Sequence, residues 1–157
     1  MQFLKTEAAF GLNLSQFSDR IYAQMSDALA AEGILVPAKS TGIIQVLFSE
    51  GPCSQADIAS QLRTSHQLIA QRVTALLKQS ILELKPDPND GRRKLLLLTK
   101  KGRDEGQKLQ SFLPKLIRAY HDLNAEIGLD FHDLITRANR ALDGRSLSDR
   151  LGGQTQS

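Results

Sequence analysis

The chain has no tryptophan, one cysteine and only eight aromatic residues among 157. A single cysteine, Cys53, excludes an intramolecular disulfide framework and fits a reducing, cytoplasmic setting. No apolar run approaches the roughly 18 residues of a membrane-spanning helix, so no membrane partner is expected. The opening MQFLKTEAAF has neither a basic leader nor a long apolar stretch, so no secretory signal is expected. There is no Gly-rich phosphate loop, no G-x-S-x-G and no H-E-x-x-H. His66, His121 and His132 fall at no metal-ligand spacing, and His121 and His132 read as surface or interface residues. The Asp87-Pro88-Asn89-Asp90 segment only superficially resembles the start of a calcium loop, because the glycine and the distal glutamate are misplaced. These absences leave no candidate catalytic residue, no cofactor and no metal, so the chain is not expected to be an enzyme.

What is present is an uneven charge. The net value is only +3. Between Arg63 and Arg103, however, ten lysines and arginines stand against Glu83, Asp87 and Asp90, while the remainder of the chain is net acidic. A basic middle on an acidic frame is the footprint of a module that binds a polyanion. At its centre lies Lys85 to Gly102, KPDPNDGRRKLLLLTKKG. Pro86 and Pro88 cannot continue a helix, and Pro-Asn-Asp-Gly is turn chemistry. Arg93 to Leu98 is short and apolar enough for a strand, and Thr99 stands where a helix N-cap belongs. The segment therefore reads as a two-stranded ribbon with a basic tip of Arg92, Arg93 and Lys94 beside Asp90.

Helical spacing dominates elsewhere. Leu14, Phe17, Ile21, Met25, Ala28 and Leu29 repeat along residues 13–32, after a loose arm over residues 1–10, and Gly33 marks a stop. A second helix is expected over residues 38–49 and is broken by Gly51-Pro52. Ser54 to Asp57 has capping-box spacing for a third. Arg63-Thr64-Ser65 is a break as short as a helix-turn-helix requires. Ser65 then caps a fourth helix, residues 66–79, with Ile69, Val73 and Leu76 on one stripe and Gln67, Gln71, Thr74 and Lys78 opposite. Gln can bond adenine edges, and Thr can meet bases through its methyl or hydroxyl. Ser65 and His66 sit where exposed helix N–H groups help bind phosphate. The order helix, short turn, helix, basic ribbon points to double-stranded DNA.

Ser54 to Gly102 resembles the winged helix-turn-helix of the MarR (multiple-antibiotic-resistance regulator) family. The resemblance rests on GPCSQADIASQL, on SHQLIAQRVTALLK and above all on DPNDGRRKLLLLTKKG, since the family's wing reads D-P-x-D-x-R, a strand, then L-T-x-x-G. With its flanking helices it covers residues 12–142. It implies that Asp90 orients the wing and that Arg92 enters the minor groove. It also implies DNA contacts from Ser54, Ser65, His66, Gln67, Ala70, Gln71, Thr74 and Lys78, and from Arg93 and Lys94 beside Arg92. Ser80 departs from the glycine usual at that position and costs strain or forces another cap. The resemblance implies a homodimer closed by the first and last helices, and a small aromatic acid as effector, for which Phe17, Ile21, Phe48, Phe112 and Leu116 are candidate lining residues.

The expected fold is mainly α with a small β-wing: one domain over 1–157, with a winged helix-turn-helix lobe over 37–102. Residues 12–33 and 103–142 are the expected dimerisation helices. Pro114 should kink or split the long helix after the wing, and 143–157 is expected as flexible tail. The function implied is a transcription regulator, a repressor on a twofold operator. Two alternatives stand beside it. A winged helix that binds protein would not need the basic tip, and a thiol-based redox sensor would work through Cys53.

Overall fold

The computed structural model describes residues 6–152. They fall in two compact units, residues 1–112 and 113–157. In the first, a 3-10 turn at Glu7–Ala9 leads into helix α1, Phe10–Ala31. The expected loose arm is thus helical from Glu7, and residues 1–5 lie outside the described residues. A 3-10 turn at Ala38–Ser40 precedes α2, Thr41–Glu50, followed by α3, Gln55–Gln61, and α4, His66–Lys78. Strands β1, Leu82–Asp87, and β2, Asp90–Leu98, pair antiparallel. Helix α5, Lys100–Ile127, starts in this unit and ends in the second.

The core of the first unit forms where apolar residues of three helices and the ribbon meet. Ile43, Ile44, Ile58, Ile69, Leu76 and Leu96 are fully buried. Glu105 is the exception in kind, a carboxylate only 2% exposed. It accepts the Leu35 N–H at 2.5 Å and a Lys108 Nζ bond at 2.7 Å, while Lys108 also reaches the Gly33 carbonyl at 3.0 Å. A buried charge persists when paired and hydrogen-bonded in this way. Here it ties the segment after α1 to the first turns of α5.

Two helices of the lobe end on left-handed residues that are not glycine, Arg63 at φ 48° and Ser80 at φ 56°. After α4 the Ser80 N–H bonds Leu77 O at 2.9 Å and the Ile81 N–H bonds Leu76 O at 3.0 Å. This is the paired closure of a Schellman end, with Ile81 and Leu76 in its apolar contact. The strain expected at Ser80 is therefore present, and the cap geometry is the ordinary one. A left-handed L-residue costs about 1 kcal/mol or more relative to glycine. Ser80→Gly should therefore raise the thermal midpoint by about 2–4 °C. Calorimetry showing no rise, or a fall, would mean that the unfolded chain's gain in freedom cancels the relief.

Helix α5 runs unbroken through Pro114, so the expected split is absent. In the second unit, α6 spans Phe131–Gly144, with the Asp130 side chain accepting Asp133 N–H as its N-cap. Leu134, Ile135 and Leu142 are 41%, 47% and 44% exposed, and α6 buries no residue. Part of the expected tail is helical: α7, Leu147–Gly152, opens on reciprocal Ser146–Asp149 bonds, and Arg150 Nη2 reaches Ala141 O at 2.9 Å. Residues 153–157 lie outside the described residues.

Candidate nucleic-acid interface

Ribbon register sets the wing. Leu82 pairs with Leu98, and the ladder runs regularly to Pro86 opposite Lys94. The next partners are Asp87 and Asp90, which leaves Gly91, Arg92 and Arg93 on β2 with no counterpart. Such a bulge bends the strand and re-aims its side chains. At the tip Asp87 Oδ1 accepts Asn89 N–H at 2.9 Å, and Asp90 Oδ1 accepts Arg92 N–H at 3.0 Å. Asp90 thus holds the turn by its backbone, as its acidity beside a basic tip requires. Arg92 and Lys94 are exposed, and no side-chain bond of either occurs among the described residues.

Cys53 joins the wing base to α3. Its N–H bonds Leu96 O at 3.3 Å and its carbonyl accepts Leu96 N–H at 2.8 Å. Next to it, Ser54 and Asp57 form a full capping box, with Ser54 Oγ accepting Asp57 N–H at 3.2 Å and Asp57 Oδ2 accepting Ser54 N–H at 3.1 Å. Arg93 is drawn into that box. Its Nη2 donates to Ser54 Oγ at 3.1 Å and forms an ion pair with Asp57. The bonds from Ser54 are the main reason that the Asp57 carboxyl lies below its ordinary value of 3.8, with Arg93 adding to the effect. Ser54 is buried and its hydroxyl is already used. Ser54 and Arg93, both expected at DNA, are here bound to each other and to Asp57, a partner 36 residues from Arg93 that pattern alone does not reveal.

On α4 the burial pattern matches the expected two faces. Ile69, Val73 and Leu76 are buried, while Ser65, His66, Gln67, Gln71, Thr74 and Lys78 are exposed and Ala70 is half-buried. Ser65 Oγ accepts Leu68 N–H at 3.3 Å, and Thr74 Oγ1 donates to Ala70 O at 2.8 Å, which leaves the threonine methyl to offer outward. The ribbon is fixed to the start of α5 by Thr99, whose hydroxyl meets Ser80 O at 2.7 Å and accepts Gly102 N–H at 3.0 Å.

The residues named for an effector do not share one environment. Phe112 is buried, Phe17, Ile21 and Phe48 are half-buried, and Leu116 belongs to the second unit. Only Phe48 lines the cleft of about 380 Å³ that it forms with Leu47, Gly51, Pro52, Leu97, Leu98 and Arg103. Cys53 is 8% exposed, and burial, then Asp57 and Glu50, push its thiol up from the ordinary 9.0. A thiol held protonated is a poor nucleophile. Iodoacetamide should therefore label native Cys53 far more slowly than the unfolded chain. Equal rates would show that the thiol is open to oxidants.

A helix pair with a tight turn, an exposed polar helix face and a bulged basic ribbon define a winged helix-turn-helix protein. The MarR family model matches residues 41–93, from the start of α2 to the bulge of the wing. Among solved structures, the chain is similar to a probable transcriptional regulator from Pseudomonas aeruginosa (24% identity over 75% of this chain and 96% of that one, TM-score 0.56). It is also similar to the PcaV transcriptional regulator from Streptomyces coelicolor (24% identity, 83% and 98%, TM-score 0.59). A third similar structure is the heme sensor protein PefR from Streptococcus agalactiae in complex with heme (17% identity, 92% and 98%, TM-score 0.59). At these identities the likeness is one of fold. No curated protein matches the chain.

Proposed function

We propose that the protein is a non-enzymatic, cytoplasmic transcription regulator that binds a twofold DNA operator as a homodimer and represses from it. The observation that carries this reading is the division of labour on the wing. Arg93, though exposed, is bound to Ser54 and Asp57, while Arg92, on the same bulge, stands exposed and without a partner among the described residues. An exposed guanidinium on a shaped tip suits the narrow minor groove, where negative potential is concentrated. The outer face of α4, with Gln67, Gln71 and Thr74, then reads base edges, and Ser65, His66 and Lys78 meet phosphate. Dimerisation is supported by apolar surface that the chain leaves uncovered: Leu12 and Leu14 on α1, and separately Leu134, Ile135 and Leu142 on α6. Interfaces that close over such stripes commonly bury about 2,000 Å² or more.

The release signal is a small aromatic acid, and the cleft beside Phe48 and Arg103 offers it an apolar wall and one cation. A redox signal through Cys53 is disfavoured by the burial and raised thiol described above. No helix among the described residues is long and apolar enough to cross a membrane. The test is selection of duplexes from a random pool by the purified protein, followed by light scattering of the complex. The expected product is a palindromic site with half-sites about 10 bp apart, bound by two chains. A folded monomer that enriches no sequence would end this reading in favour of a protein-binding winged helix.

A further inference from the structure

We propose that Arg93 is a positioning residue that pins the wing to α3 through Asp57, rather than a contact to DNA. The inference rests on the DNA-binding reading above and deepens it. A two-stranded ribbon is marginally stable alone, and Cys53 secures only its base, at Leu96. Tipward of Leu96, the hydrogen bonds from β2 to anything beyond the ribbon itself, among the described residues, are those of Arg93 to Ser54 and Asp57. Asp57 Oδ2 also accepts from the Ser54 N–H and hydroxyl, at 3.1 and 2.8 Å, so the pin and the start of α3 are one network. A phosphate that took Nη2 would have to displace Ser54 and Asp57. The next residue toward the tip, Arg92, has no such engagement. A half-exposed ion pair adds little to global stability. Its consequence is the direction in which the bulge presents Arg92 relative to the helix pair.

Charge makes the proposal testable by sign. Asp57→Asn keeps an oxygen for the Ser54 N–H but removes the carboxylate. If Arg93 met phosphate, the substitution would free a cation, delete an anion and tighten binding. If Arg93 is a pin, binding weakens. The probe is a duplex selected from a random pool by the wild-type protein, titrated at several salt concentrations, with circular dichroism on every variant. Asp57→Asn and Arg93→Ala should each weaken binding by about tenfold, and the double variant should be no worse than either. The salt dependence should stay that of the wild type, since no phosphate contact is lost. Asp57→Asn binding as well as wild type or better would overturn the pin, as would a salt slope lowered by about one in Arg93→Ala. Should either variant unfold, Arg93→Lys decides. It keeps the charge for a phosphate, but its ammonium ends one bond short of the Nη2 that donates to both Ser54 and Asp57, so weakened binding supports the pin and unchanged binding overturns it. A wild-type protein that selects no duplex overturns the DNA-binding reading itself, and the pin's purpose with it.

Discussion

Gly102→Ala should destabilise the protein by about 3 kcal/mol or more, at the upper end of what overpacking costs. A Cβ at this position would lie 2.1 Å from the Ile81 carbonyl oxygen and 3.2 Å from a Leu98 methyl carbon. The carbonyl has little room to yield. It already accepts the Thr99 N–H at 3.1 Å and the Thr99 hydroxyl at 3.2 Å, and Ile81 is fully buried. Thr99 in turn caps the Gly102 N–H. The first turn of α5, the end of β2 and the residue before β1 are therefore locked at one point, and only hydrogen fits there. Gly106→Ala is the informative contrast. Its Cβ would meet the Phe48 ring at 2.5 Å, and a half-buried ring can shift where a backbone carbonyl cannot. Thermal unfolding should show Gly102→Ala lowered by about 6–12 °C and Gly106→Ala by less. A Gly102→Ala protein within 1 kcal/mol of wild type, on the scale of an ordinary surface change, would mean that α5 slides freely on the ribbon.

The same residues show how much of this architecture was legible beforehand. Local chemistry carried most of it. The break at Gly51-Pro52, the cap at Ser65, the turn at Asp87 to Asp90 and the strand up to Leu98 act through neighbouring residues, and each lies within a residue or two of its expected place. The two faces of α4 follow from period alone. Legibility failed where a partner lay far along the chain. Arg93 read as one more tip cation because Asp57, 36 residues away, is invisible to a pattern scan. Glu105 was passed over for the same reason, its partner Leu35 being 70 residues distant. The apolar residues of α6 were legible as a stripe, but a stripe does not say what covers it. Leu134, Ile135 and Leu142 stay exposed on α6, and the proposed second copy would cover them. In α5, propensity outweighed the proline: Pro114 sits in a 28-residue helix whose other turns carry the ladder past one missing N–H.

Removing Arg92 should cost more DNA affinity than any other single wing change, because it deletes the one tip guanidinium with no side-chain partner among the described residues. Arg92→Ala should weaken operator binding by roughly 1–3 kcal/mol, the scale of one good base contact. Its salt slope should fall by about one if the lost charge had displaced a counterion. Asp90→Ala tests the shape of the tip. The substitution removes a negative charge beside phosphates, so charge counting alone predicts tighter binding. Asp90 Oδ1 instead holds the Arg92 N–H at 3.0 Å, and without that bond the bulge loses its Asx turn and Arg92 its fixed direction. Binding should therefore weaken, with an unchanged salt slope, since no phosphate contact is lost. Gln71→Ala, on the exposed face of α4, should instead change which duplexes are preferred. Titration of the three variants against one selected duplex at several salt concentrations separates these effects, with circular dichroism confirming each fold. Wild-type affinity in folded Arg92→Ala would remove the wing from recognition, and tighter binding by Asp90→Ala would reduce the tip to a point charge.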